Sequence, residues 1–361
     1  YPADLYIEGS DQYRGWFNSS LITGVATEGK SPYKTLVSHG FVLDGDGRKM
    51  SKSEGNVVDP NKIANTMGAD IFRLWTASVD YQADVRLSDN LIKQVSESYR
   101  KIRNTIKFLL GNVFDYDNDK SKVDYDKLND IDKYVLIKNN NLIKEVLDAY
   151  EDFRFDLVYR KITNYVNFIS SFYLDFSKDI LYIEKADSLS RRSIQTVIYK
   201  ILDTLLRLLT PILPHTTSEA YQYVPDRKAL DVYLLDMPKV ESLDTTVEAD
   251  FDEFLDLRED VLKALENARN EKVIGKSLNA HVIIYPKAKI ENLLNRINVN
   301  LAQVFIVSKF DISKDGFGAY KGTDVSIDVL AAEGHTCERC WQVVDTVDED
   351  GLCNRCVEVI N

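Results

Sequence analysis

Apolar residues up to about Ser88 fall in short runs, while beyond it they recur every three or four positions. Leu5-Tyr6-Ile7 predicts a strand that ends at Glu8-Gly9-Ser10-Asp11, and Gln12 to Thr23 carries Trp16, Phe17, Leu21 and Ile22 at helical spacing. A second β-like run, Lys34 to Leu43, leads into Asp44-Gly45-Asp46-Gly47, the chemistry of a tight turn with positive φ. Asp59-Pro60 opens a short helix, and Gly68-Ala69-Asp70 caps another containing Phe72, Leu74 and Trp75. Long helical stripes follow: Ile92, Val95, Tyr99, Ile102, Ile106 and Leu109 up to Gly111-Asn112; Val158, Ile162, Tyr165, Ile169 and Tyr173; and Ile194, Ile198, Ile201, Leu205 and Leu208 up to Thr210-Pro211. With a helix over Asp130 to Tyr150, these stripes predict the core of a bundle of four or more helices. After a polar crossing at 237–255, a helix at Phe251–Lys272 with Gly275 as its terminator and a strand at Ala280–Tyr285 begin a small α/β module. A helix around Ile290–Asn300 and strands at Val304–Val307 and Val325–Val329 complete it.

At 361 residues with 44% hydrophobic content, the chain is long enough for two or three domains. It has neither a run of about 18 apolar residues nor a basic and apolar leader, so the expectation is a cytoplasmic protein without a membrane. The chain opens on Tyr1, almost directly on a strand, which reads as a part of a longer protein. Lys and Arg total 45 against 57 acidic residues, a formal charge of −12 that excludes non-specific coating of nucleic acid. Any RNA contact must be local. Basic clusters stand at Lys93, Arg100, Lys101, Arg103 and Lys107, and at Arg154, Arg160, Lys161, Arg191 and Arg192, and the simplest reading of each is a solvated helix face. The acidic runs Asp115 to Asp132 and Glu248 to Asp260 are expected to face solvent.

Three places carry chemistry. Lys49-Met50-Ser51-Lys52-Ser53 puts two flexible ammonium groups among hydroxyls, which suits a reacting polyphosphate; a solvated basic turn is the plain alternative. Glu8, Asp11 and Gln12 stand at the carboxyl end of a strand, where small molecules bind in open α/β sheets. Carboxylates there suit an α-ammonium or ribose hydroxyls, and Ser10 or Asp11 also suits the helix N-cap. Trp16 by itself reads as core, and His39 beside Gly40 permits close approach to a flat base. All four cysteines fall in the tail as Cys337-x2-Cys340-x12-Cys353-x2-Cys356, two turns that converge on one tetrahedral all-sulfur site. One structural Zn ion per chain is expected, disulfides being disfavoured without an export signal. His335 is a spare candidate ligand.

Lys49-Met50-Ser51-Lys52-Ser53 resembles, letter for letter, the KMSKS signature loop of class I aminoacyl-tRNA synthetases. Tyr6 to Phe17 resembles the amino-acid-pocket segment of the isoleucyl branch, and Ser38-His39-Gly40-Phe41 its adenosine-side strand. Cys337-Glu338-Arg339-Cys340-Trp341 resembles the C-terminal zinc motif of the bacterial members. The resemblance implies ligation of isoleucine to tRNA(Ile) through an isoleucyl-adenylate, with ATP and Mg. Lys49 and Lys52 are then catalytic; Met50, Ser51, Lys52, Ser53, His39 and Gly40 lie at ATP; and Glu8, Asp11, Gln12 and Trp16 lie at the adenylate, with Trp16 lining the side-chain pocket. The family's usual His at the Tyr13 position is missing.

The implied fold is multidomain, α/β plus all-α: the C-terminal half of a Rossmann-type catalytic domain at 1–87, a helical anticodon-binding domain at 88–236, a junction module at 237–330 and a zinc-binding tail at 331–361. A HIGH motif and an editing domain are absent. The expectation is a monomer that needs the missing N-terminal half and does not charge tRNA alone. Rival readings are a valyl or leucyl synthetase and a non-catalytic tRNA-binding zinc protein.

Overall fold

The computed structural model describes residues 1–361, which divide into two compact units. One comprises Tyr1–Asn104, Glu145–Asn164 and Leu208–Glu219; the other comprises Thr105–Lys144, Tyr165–Arg207 and Ala220–Asn361.

The first unit begins with a strand–helix–strand element. Strand β1 (Ala3–Gly9) pairs in parallel with β2 (Tyr33–His39), from Ala3 opposite Tyr33 to Gly9 opposite His39, and helix α1 (Trp16–Glu28) makes the crossover. A 3-10 turn over Ser10–Arg14 precedes α1, whose first N–H groups the predicted caps Ser10 and Asp11 do not satisfy. Gln12 does this, its Oε1 accepting from Trp16 N at 2.9 Å. The extra turn moves the cap two residues along.

The second β-like run is broken rather than continuous. It splits into β2 and β3 (Val42–Leu43), and β3 pairs in parallel with β4 (Val85–Arg86). The break lies at Gly40, whose N–H donates to Tyr81 O at 2.9 Å and whose α-carbon lies so close to the 83–84 peptide that a Cβ would come within 2.4 Å of Ala83. Phe41 N donates to Asp84 Oδ1 at 2.7 Å, so the 81–84 segment wedges the strand apart. Between β3 and β4 lie the lysine loop, α2 (Pro60–Met67) and α3 (Ala69–Ser78). Asp59 caps α2 as its sequence predicts, accepting from Asn61 N at 2.9 Å.

Six helices follow in their predicted territory: α4 (Asp89–Asn112), α5 (Asp130–Glu151), α6 (Phe155–Ser171), α8 (Leu189–Leu209), α10 (Glu248–Asn270) and, beyond the crossing, α11 (Ala288–Arg296); two shorter helices, α7 (Tyr173–Ile183) and α9 (Pro214–Tyr221), stand where the spacing predicts none. Apart from half-buried Tyr99, the predicted stripes of α4, α6 and α8 are buried. Asp70, predicted to cap α3, instead accepts from Thr216 N and Oγ1 at 2.7 and 2.6 Å and so caps α9. Tyr173 does not continue the α6 stripe. The chain breaks at Phe172, where Arg258 of α10 lies over the ring and donates to Ser171 O at 2.8 Å.

The acidic run 115–132 does not simply face solvent. Asp115 accepts a two-pronged bond from Arg191, at 2.7 and 3.0 Å, and Asp132 is 1% exposed, receiving Tyr173 OH at 2.6 Å. Arg191 is correspondingly buried rather than on a solvated face. Asn139 links Tyr165 OH (3.2 Å) to Thr204 Oγ1 (3.0 Å), so polar side chains within this unit's helical core find partners in one another.

The small module is a four-stranded sheet. Its central strand β5 (Ala280–Pro286) pairs in parallel with β6 (Lys309–Ile312) and antiparallel with β8 (Val325–Ala331), while β7 (Tyr320–Lys321) lies outside β8. Val304–Val307, predicted as a strand, is instead the end of helix α12 (Leu301–Phe305) and its exit. Asn300 starts that helix by accepting from Gln303 N, Ile306 ends it at φ 57°, and the strand is displaced to Lys309. The tail carries a ribbon of β9 (His335–Thr336) and β10 (Val343–Val344), then helix α13 (Asn354–Ile360). No helix is long and apolar enough to cross a membrane.

Candidate functional site

Parallel pairing brings the carboxyl ends of β1 and β2 together. Glu8 stands opposite Ser38 and Gly9 opposite His39; Glu8 Oε2 accepts from its neighbour Gly9 N at 2.9 Å and lies 3.8 Å from His39 Nε2. His39 Nδ1 is 2.7 Å from Gly40 O, which fixes the ring over the strand break. Asp11 accepts from Gln12 Nε2 at 3.1 Å, so the Gln12 amide is held at both ends. Tyr13, exposed, donates to Ser38 Oγ at 3.4 Å. Trp16 is not core: it is 46% exposed and stacks on Tyr6 with centroids 4.4 Å apart. An aromatic platform thus flanks two carboxylates and a histidine at one strand edge.

The lysine loop leaves β3 separately. A bridge between Leu43 and Lys49 closes its first turn, and Gly47 adopts φ 82°, the positive φ its sequence predicts. Asp44 is buried and gathers the loop: Oδ1 accepts from Arg48 N at 2.8 Å and Asp46 N at 3.0 Å, while Oδ2 accepts from Asn56 Nδ2 at 2.9 Å and Arg48 Nε at 3.2 Å. The Asn56 bond, with those from the Arg48 backbone, holds the Asp44 carboxyl below the usual carboxylate range. Asn56 Oδ1 in turn accepts from Ser51 N at 2.8 Å, and Ser51 and Ser53 hydroxyls meet at 2.7 Å. Arg48 engages both carboxylates of the turn, so Lys49 and Lys52 remain exposed, with Met50 half-buried between them. Sequence reading missed Asp44, Arg48 and Asn56 as organisers of this loop. The signal was present in an aspartate directly after a strand and an asparagine directly after the loop's last glycine.

In the other unit, all four cysteines are buried and unbridged, and their sulfurs lie within 4.8 Å of one another. Cys340 and Cys353 sulfurs are 3.7 Å apart, close to the edge of about 3.8 Å that a tetrahedron with zinc–sulfur bonds of about 2.3 Å requires. Cys353 N points at Cys337 Sγ at 3.3 Å. Burial pushes the Cys340 and Cys356 thiols up, whereas at Cys337 the backbone N–H groups of Cys340, Cys353 and Arg339 outweigh burial and bring the thiol down. The donor set therefore fits a tetrahedral thiophilic ion with no open position. His335 lies exposed in β9, outside the cluster.

Residues 1–88 match the family described as "tRNA synthetases class I (I, L, M and V)", and residues 132–284 match "Anticodon-binding domain of tRNA ligase". The chain belongs to the class I tRNA synthetases. Among curated proteins it is similar over its whole length to isoleucine–tRNA ligases: 53% identical over 374 residues to that of Geobacillus thermodenitrificans, covering 100% of this chain and 40% of the relative. The Geobacillus kaustophilus protein is 52% identical over the same shares, and that of Bacillus mycoides 53% identical over 99% of this chain and 40% of its own. The chain thus spans about 40% of the length of these relatives. Solved structures share the fold: a LeuRS–tRNA–LeuAMS complex from Agrobacterium radiobacter K84 (TM-score 0.54, 21% identity, 67% of this chain and 29% of that one). A Mycobacterium tuberculosis methionyl-tRNA synthetase with methionyl-adenylate gives 0.52 at 19% identity, over 68% and 49%.

Proposed function

We propose that this chain supplies the signature-loop and tRNA-binding part of an enzyme that activates isoleucine with ATP and transfers it to tRNA(Ile). The observation that carries the reading is the clasp of Asp44 and Asn56, which orders the loop through its backbone and leaves Lys49 and Lys52 exposed for an anionic ligand.

In this reading Lys52, assisted by Lys49, follows the ATP phosphates, with Mg, as charge shifts towards pyrophosphate; preorganised cations act on that developing charge. Met50, Ser51 and Ser53 shape the loop around the nucleotide, and His39 and Gly40 meet its base. Glu8, Asp11 and Gln12 hold the polar part of isoleucyl-adenylate, and Trp16 on Tyr6 walls the isoleucine side chain. Residues 1–87 serve catalysis, 88–236 grip the anticodon arm, 237–330 join them to the tail, and Cys337, Cys340, Cys353 and Cys356 hold one structural Zn. The working protein is a cytoplasmic monomer that includes an N-terminal half.

The test is Lys52→Ala in a full-length enzyme joining this chain to the preceding part of the Geobacillus thermodenitrificans relative. Isoleucine-dependent pyrophosphate exchange should fall about 10²- to 10³-fold, with KM for isoleucine little changed. Unchanged exchange would remove the catalytic assignment.

A further inference from the structure

The last turn of α7 forms part of the cysteine cluster's wall. Ile183 is buried together with all four cysteines, with Val344 and Leu352 packed around them. Its carbonyl is one of the acceptors that every helix leaves unsatisfied at its C-terminus. That carbonyl accepts from Arg339 Nη2 at 2.8 Å, while Nη1 of the same guanidinium reaches Cys356 Sγ at 3.7 Å. Two residues earlier, Leu181 O accepts from Arg191 at 3.2 Å. Arg355, the neighbour of Cys356 in α13, donates to Asp179 and Glu184, each at 2.7 Å. The far end of α7 is anchored separately, by Tyr173 on Asp132 at 2.6 Å. The tail therefore grips one turn of this helix rather than the helix as a whole.

We propose that closure of the four thiolates around a metal ion and capping of the last turn of α7 form one coupled equilibrium, with Arg339 and Arg355 as its positioning residues. The inference rests on the metal reading above. Four thiolates around a divalent ion leave two net negative charges, and Arg339 holds its cation between one of those sulfurs and a helix C-terminus, a place that also favours positive charge. Loss of the ion removes the sulfur from that arrangement and leaves the Ile183 carbonyl without its partner. Linkage is reciprocal: contacts that seat the tail on α7 raise the affinity for the metal by the same factor that the metal tightens the seat, and affinity differences among variants of one site lie chiefly in the rate of release.

The test uses the whole chain. Cobalt(II) is bound first; thiolate-to-cobalt charge-transfer absorption establishes the metal site, and its absence overturns both the metal reading and the coupling. Zinc release to a chromogenic chelator is then timed for the wild type, Glu184→Gln and Arg355→Gln, none of which alters a ligand. Release from both variants should be at least about fivefold faster. Arg355→Lys, which keeps the charge but loses the fork, should fall between them and the wild type. In parallel, chelation should raise hydrogen exchange at the amides of Tyr182, Ile183 and Glu184 and leave the amides of α8 protected. Wild-type release rates in both variants, with cobalt absorption intact, would overturn the coupling alone. Exchange in the α7 turn that is indifferent to chelation would do the same.

Discussion

Asn56 Nδ2 donates to Asp44 Oδ2 at 2.9 Å across twelve positions of the chain, which closes the lysine loop at its base while its lysines stay in solvent. Asn56→Ala removes this bond and the one to Ser51 N together. Tryptic cleavage after Lys49 and Lys52 should then accelerate several-fold, with no change in the unfolding midpoint of the helices. The Asp44 carboxyl titrates below its ordinary range, so its contribution is present at neutral pH and is lost only as pH falls through that lowered value. Cleavage by an acid-active protease should show the loop opening at the acid end alone.

Asp115 and Arg191 make the second prediction. Burial raises the Asp115 carboxyl, but its bonds to Arg191 and Gln195 outweigh that and leave it low. Asp115→Ala strands a buried guanidinium, and removal of one member of such a pair costs about 3–5 kcal/mol. Urea unfolding should show a loss of that order, and a loss under about 1 kcal/mol would mean that water reaches the site.

Asp132 gives a pH dependence of opposite sign to Asp44. Burial pushes its carboxyl up to about 7, against the lowering effect of Tyr173, and its Oδ2 has no hydrogen-bond partner. Between the unfolded value near 4 and about 7, the folded chain holds a proton that the unfolded chain has released. Stability from this group is therefore present in full below pH 4 and drains away as pH rises through 7. Asp132→Asn cannot ionise, so its advantage over the wild type should grow by on the order of 2–3 kcal/mol between pH 5 and pH 8. Urea midpoints at the two pH values decide it.

The fourth prediction concerns RNA. Lys93, Lys101, Arg103 and Lys107 are exposed along α4, whereas Arg154, Arg160 and Lys161 are taken up by Asp156 and Glu145. The α4 residues are thus the cations free for phosphate. Lys101→Ala with Arg103→Ala should lower the slope of log K against log salt by about one to two for isoleucine tRNA in a filter assay. Arg160→Ala with Lys161→Ala should leave it unchanged.

Local signals made much of this structure legible. Three- and four-residue spacing located α4, α5 and α8, and a motif of four cysteines located a cluster whose geometry fits a metal. What was illegible depends on partners distant in sequence. Nothing around Gly40 announces that residues 81–84 press on it, so one strand was read where two stand. Arg191 and Arg192 read as a basic face because their partner Asp115 lies 76 and 77 residues away. Periodicity places Trp16 in the core, whereas behind the 3-10 turn that precedes α1 it stacks on Tyr6. Hydrophobic spacing reports which face of a helix is apolar; it does not report whether another element covers that face.

The three tryptophans occupy three unlike surroundings, with Trp75 at 4% exposure, Trp16 at 46% and Trp341 at 65%. Trp341 directly follows a cluster cysteine, in a left-handed backbone conformation at φ 64°. Its solvent-facing indole is therefore a built-in optical reporter: replacing Trp16 with Phe would leave one quenchable and one shielded emitter, and the state of the tail could be followed by fluorescence without attaching any dye.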